Sequence, residues 1–190
     1  MSGLTSSQTI GPFFHHALLR DGQSTMTQPA SQGERIIVEG KVTDGDGALV
    51  TDAMIEIWQA NAAGRYDHPA DTQDKPRDPA FHGFGRARTD ANGLYRFETV
   101  RPGAVPGRGN SLQAPHIAVT IFARGLLNHL STRLYFADEP LNDSDAVLAL
   151  VPDAARRQTL IATPVAGAPV KTYRFDIVLQ GEGETVFFEI

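Results

Sequence analysis

Cysteine is absent from the 190 residues, which excludes disulfides and thiolate metal centres and leaves histidine, tyrosine and carboxylates as the side chains able to hold a metal. Positive charge is in deficit: 17 Lys and Arg against 22 Asp and Glu give a formal net charge of −5, which argues against a phosphate backbone as partner. No nucleic acid is expected. Long apolar runs are also missing, none reaching the ~18 residues of a membrane span. The start, MSGLTSSQTIGPFF, has neither the basic opening nor the apolar stretch of a secretory leader. A cytoplasmic chain that makes no membrane contact is the expectation. Long helices are disfavoured as well, because 18 Gly and 12 Pro punctuate the chain at short intervals.

What is present suits one globular domain. Apolar types make up 41% and charged types 21%, so a chain of this size should bury roughly 70% of its unfolded surface. Residues 1–34 show no sustained period and read as an extended arm with at most a helical turn around His15 to Leu19. From Arg35 the pattern alternates, setting Ile36, Val38 and Val42 on one face against Ile37, Glu39 and Lys41. TDGDG signals a tight turn, Ala48 to Val50 begins the return, and a strand follows from Ala53 to Gln59 with Ile55 and Ile57 opposite Glu56 and Trp58. Residues 61–85 are long, polar and broken by three prolines, hence a loop. Further strands are expected over Leu94–Val100, His116–Ala123, Thr132–Phe136, Tyr173–Leu179 and Thr185–Ile190. One helix is expected over 152–162, started by Pro152 and Asp153 and burying Ala155, Leu160 and Ile161. Some seven strands with one short helix point to an all-β, single-domain β-sandwich over 35–190, with the arm as a contact segment.

The blocks GKVTDGDGALVTDAMIEIWQANAAGRY, FHGFGRARTDANGLYRFETVRPG, APHIAVTIFARG, TRLYF and YRFDIVLQGEGETVFFEI, in this order, resemble the intradiol ring-cleaving dioxygenases. The opening SQTIGPFF is similar to the α chains of those members that pair homologous α and β chains and act on protocatechuate. The resemblance implies a transthyretin-like (prealbumin-like) β-sandwich and a reaction in which O2 and one Fe(III) open protocatechuate between its adjacent hydroxyls to 3-carboxy-cis,cis-muconate. Members that hold iron use two tyrosinates and two histidines. Here those positions read Tyr66 in GRY, Val105 in RPGAVPG, and His116 and Ala118 in PHIA. Valine and alanine have no lone pair, so the resemblance implies that this chain binds no metal and has no catalytic residues of its own. Fe(III) is then carried by a homologous β subunit. The remaining His15, His16, His68, His82 and His129 lack the short spacing of a metal pair, and surface roles are expected for the adjacent His15 and His16. For His116 a hydrogen-bonded neutral imidazole is expected, and for Tyr66 a half-buried ring.

The same resemblance implies that Thr9, Gly11, Pro12 and Phe13 of the arm wall one side of the partner's substrate pocket, although a mere clamp on the dimer would need the same packing. Arg124, in FARG, offers a fork of donors that matches a substrate carboxylate; its alternative is a strand-end ion pair with a local Asp or Glu. Arg133, in TRLYF, is expected to make a structural ion pair. Trp58, Gly85, Asn92 and the GEGE turn are read as architecture. The reading is therefore an α subunit that contributes pocket wall and assembly surface to a shared site for protocatechuate and O2. Two other readings stand beside it: a transthyretin-like binding or scaffold module without enzymology, and a self-sufficient iron enzyme with rearranged ligands.

Overall fold

The computed structural model describes residues 6–9, 11, 14–109 and 111–189, the side chains of His15 and His16 excepted. Its elements are α1 (Phe14–Leu18), β1 (Arg35–Thr43), β2 (Met54–Trp58), β3 (Phe84–Arg88), β4 (Leu94–Val100), β5 (Val105–Pro106), β6 (Leu112–Gln113), β7 (His116–Phe122), β8 (Leu130–Phe136), α2 (Ala154–Gln158), β9 (Ile161–Pro164), β10 (Thr172–Arg174) and β11 (Ile177–Val178). Short 3₁₀ turns occupy Pro140–Ser144 and Leu148–Leu150. The chain is all-β. Hydrogen bonds join the strands in the path β11-β1-β10-β9-β8-β7-β2-β3, with β4 on the other edge of β1 and β5-β6 as a separate ribbon.

β1 is the hub of this path. It pairs antiparallel with β4 over seven residues, and on its opposite edge runs parallel first to β10 and then to β11. Between those two partners the chain kinks inward at Phe175, whose carbonyl oxygen accepts a hydrogen bond from the buried Tyr95 hydroxyl at 2.5 Å. Gly40 faces the kink, and a Cβ there would overlap that carbonyl. The ladder is carried across the gap by Asp176, whose Oδ1 accepts from Lys41 N at 2.7 Å. Inward residues of β1, β2, β4, β7 and β8 form the main core, among them Ile36, Val38, Ile55, Ile57, Phe97, Ile117, Val119, Ile121 and Phe136. Burying each contributes ~1.5–3 kcal/mol. A smaller cluster of Ala114, Tyr135, Leu148, Val151 and Leu160 lies beside it.

Part of the arm closes the sheet. Gln23 O accepts from Arg86 N of β3 at 3.1 Å, Ser24 O accepts from Glu98 N of β4 at 2.9 Å, and Met26 N returns a bond to Glu98 O at 2.8 Å. The stretch from Gln23 to Met26 thus fills the seam between β3 and β4, with Met26 buried in the main core. The turn of helix near His15 is present as α1.

Several elements differ from expectation. The helix spans only Ala154–Gln158. Asp153 starts it by accepting from Ala155 N and Arg156 N, but Leu160 and Ile161 leave it, and Ile161 enters β9 opposite Tyr135. Ala155 is exposed, so only Leu160 buries as expected. The loop ends before Phe84, because FGRAR forms β3 against β2 despite its glycine. Residues 185–189 form no strand: the tail is held by single backbone bonds, Thr185 N to Val178 O and Phe188 N to Ser131 O, rather than by a continuous ladder. Its alternation has another cause, since Phe187 packs on the main core and Val186 and Phe188 on the smaller one.

Gly40→Ala is expected to destabilise the chain by about 3 kcal/mol, because the added carbon meets backbone that cannot yield. Urea denaturation checks this, and an unchanged midpoint would show that the Phe175 kink relaxes freely.

Candidate functional site

The pairing of β2, β7 and β8 sets the site. Core residues Ile117, Val119 and Ile121 take one face of β7, so His116, Ala118 and Thr120 take the other. Trp58 of β2 pairs with Ala118, and Ala118 pairs with Arg133 of β8, placing the three in one row across strands spaced ~4.8 Å apart. In the next row His116 pairs with Tyr135. The loop after β2 brings the Tyr66 ring over Trp58, with centroids 5.8 Å apart and planes 13° from parallel. It is fixed there by Asp71, whose Oδ2 accepts from Tyr66 N at 2.7 Å. The β5-β6 ribbon adds Val105 opposite Gln113, and Gln113 Oε1 accepts from Arg133 Nη1 at 2.7 Å. Trp58, Tyr66, Asp71, Val105 and Gln113 line an open cleft of about 570 Å³.

Of the four positions where the resemblance expects ligands, Tyr66 and Val105 line the cleft and His116 and Ala118 stand on the adjoining face of β7, but their chemistry does not fit a ferric ion. Val105 and Ala118 donate nothing. His116 is buried and its Nδ1 lies 2.7 Å from Ala114 O, so that nitrogen carries the proton. Burial first, and then the nearby Arg133 charge, lower its pKa to about 4. Burial raises the Tyr66 hydroxyl above the ordinary phenol range, although Arg133 opposes the shift, so the phenol stays protonated at neutral pH. A metal cation would also meet the Arg133 guanidinium, which acts electrostatically on both residues. Among the described residues no three His, Asp or Glu form a metal-sized group. His68 lines the cleft with Nδ1 accepting from Ala70 N, His82 pairs with Asp67 at 2.9 Å, and His129 lies against the Phe122 ring.

Arg133 corrects an expectation. It makes no ion pair with a carboxylate among the described residues; its partners are Gln113 and, at 3.5 Å, the Tyr135 hydroxyl. The buried Asp145 influences the same neighbourhood, yet its oxygens accept from Ala114 N, Val147 N, Leu148 N and Tyr135 OH. Gln113, Tyr135 and Asp145 escaped sequence reasoning. Only the alternation of TRLYF against PHIA carried a signal for them, and that signal does not say which rows align.

The second group of candidates lies at the far end of β7. His116 and Arg124 are eight residues apart in the sequence, ~26 Å along an extended strand. There Thr9 Oγ1 accepts from Gly125 N at 2.9 Å, which joins the arm to the segment carrying Arg124. Arg124 is ion-paired through Nε with Asp52, the two side chains being 72% and 22% exposed. The strand-end pair and an outward guanidinium thus coexist, since the terminal nitrogens make no bond among the described residues. Gly11 is exposed with open space around it, while Pro12 and Phe13 lie outside the described residues.

Comparison with known proteins gives a consistent picture. A profile of the Dioxygenase family matches residues 9–181. The chain is 41% identical to a protocatechuate 3,4-dioxygenase alpha chain of Pseudomonas putida, covering 97% of this chain and 96% of that one. It is 42% identical to a protocatechuate 3,4-dioxygenase beta chain of Burkholderia cepacia, covering 94% and 77%. Among solved structures it resembles the dioxygenase domain of a carbohydrate-binding fusion from Streptomyces sp. SirexAA-E, with TM-score 0.63 and 28% identity over 83% of this chain and 87% of the other.

Two outcomes follow from the cleft. Above pH 6.5 His116 is neutral folded or unfolded; as the pH falls, the unfolded chain takes up the proton first, while the folded imidazole resists until about 4. Stability is therefore present above pH 6.5 and lost towards pH 4, by about 3 kcal/mol. His116→Gln should flatten that part of the pH profile of denaturant midpoints; an unaltered profile would show that His116 is not responsible. The chain alone is also expected to take up no stoichiometric Fe(III), and Val105→Tyr with Ala118→His should not restore uptake until Arg133→Gln is added. Metal analysis after anaerobic loading checks this, and iron in the double variant would show that the guanidinium is no barrier.

Proposed function

The chain belongs to the intradiol ring-cleaving dioxygenase family, and from that premise we propose that it is the α subunit of a heteromeric protocatechuate 3,4-dioxygenase. The ring-opening chemistry, with Fe(III) and O2, belongs on this reading to a homologous β subunit. This chain supplies pocket wall and assembly surface in the cytoplasm. Its strand path is read as the two packed sheets of a transthyretin-like sandwich over 35–190, with 1–34 as the arm that meets the partner.

The observation that carries the reading is the bond from Gly125 N to Thr9 Oγ1. It holds the arm beside an exposed arginine at the end of β7 remote from the incomplete ligand set, and a chain with its own metal would gain nothing from binding groups so far away. Such a patch makes sense as one wall of a site completed by a second chain. Thr9, Gly11, Pro12 and Phe13 would shape that wall, and Arg124 would read the carboxylate of protocatechuate. Asp52 holds the guanidinium through Nε and leaves the Nη1–Nη2 edge for a bidentate contact. A scaffold module with no enzymology would need no such open fork.

In the assembled complex, Arg124→Ala should lower kcat/KM for protocatechuate about 10- to 100-fold, the loss of one charge-assisted contact, and affect catechol, which has no carboxylate, far less. Iron content and subunit association are measured alongside. Equal losses on both substrates, or none, would remove Arg124 from substrate recognition.

A further inference from the structure

At the other end of β7 a half-buried arginine, Arg133, stands behind the cleft, bonded to its lining residue Gln113 and without a counter-ion among the described residues. We propose that this cleft is a second binding site, distinct from the Arg124 patch, for a planar aromatic monocarboxylate held by the guanidinium of Arg133. Nη1 of Arg133 is engaged by Gln113 Oε1 at 2.7 Å and by Tyr135 OH at 3.5 Å, both neutral groups, while Nε and Nη2 make no hydrogen bond among the described residues. A guanidinium in that state attracts an anion with two oxygens in its plane. The charge reaches the cleft wall, since it favours the ionised form of Tyr66.

Nothing in the cleft already neutralises it. Asp71 is the carboxylate among the lining residues, and its oxygens accept from Tyr66 N, Gln73 N and Gln73 Nε2. Asp145 is already engaged by Ala114 N, Val147 N, Leu148 N and the Tyr135 hydroxyl. The space of about 570 Å³ far exceeds what a bare ion needs and falls in the range of small-molecule sites. The rings of Trp58 and Tyr66 with Val105 and Pro106 offer aromatic and aliphatic walls. Ala118, between Trp58 and Arg133 in the same row, has no side chain beyond Cβ, and on this proposal a flat ring lies beside the indole with its carboxylate towards the guanidinium. A position that would place a metal ligand thus serves an anion, because the resident charge is a side chain.

The protein carries its own probe, since Trp58 is the single tryptophan. The full chain is titrated with benzoate and with benzamide, its neutral isostere, and tryptophan emission is followed. Benzoate is expected to give a saturable change at millimolar concentrations or below, with benzamide at least about tenfold weaker. Arg133→Gln should bring benzoate down to the level of benzamide. Arg133→Lys should retain part of the preference, because the charge stays and the planar fork is lost. Thermal unfolding of each variant verifies folding, and the benzoate-benzamide comparison on the unaltered chain stands even if Arg133→Gln does not fold. Arg124→Ala should leave the titration unchanged, which separates this site from the proposed substrate wall. Equal affinity for the two ligands, no saturable response to benzoate, or undiminished benzoate binding in Arg133→Gln would overturn the proposal.

Discussion

Because β7 is paired on both edges, its alternation is fixed twice, by β2 over five residue pairs and by β8 over six. A slip of one residue would turn Ile117, Val119 and Ile121 out of the core at ~1.5–3 kcal/mol each, and would turn His116, Ala118 and Thr120 towards that core in their place. The geometry of the cleft is therefore inherited from the core. The same register that packs three aliphatic side chains inward aligns Trp58, Ala118 and Arg133 outward, so no separate machinery is needed to place the guanidinium.

The two ends of β7 have diverged in character. Near its start Ala118 stands in one row with Trp58 and the Arg133 guanidinium, and His116 beside Tyr135. At its end stands an open patch built from a distant part of the chain. The cleft end has fixed walls: Asn61 Oδ1 caps the loop through Ala63 N and Arg65 N, and Lys75 Nζ ties the loop to Ala104 O at 2.7 Å. Such ordering in a long polar loop maintains a shaped cleft.

Much of this was legible in the residues. Alternation located β1, β2, β4 and β7 within a residue or two, and the apolar character of Val105 and Ala118 was visible without coordinates. The failures share a physical origin. FGRAR is a strand because β2 offers it an edge, and residues 185–189 are not one because they make only single backbone bonds to β8 and to Val178; both depend on partners that are distant in sequence. Leu160 is apolar in either a helix or a strand entrance, so burial alone did not separate them. Arg133 was misjudged for the same reason, since alternation gives its face but not its neighbour, and the neighbours are Ala118 and Gln113 rather than a carboxylate.

The stretch from Gln23 to Met26 has a further consequence for how copies and partners can meet. By bonding to Arg86 on one side and Glu98 on the other, it takes up backbone groups that β3 and β4 would otherwise present to solvent. A foreign strand cannot add at that seam without first displacing the arm's root from the core where Met26 is buried. Assembly there must use side chains and loop surfaces, which can be made selective for one partner, and the edge-to-edge stacking that leads to open-ended aggregates is blocked by the same segment that leads towards the proposed interface.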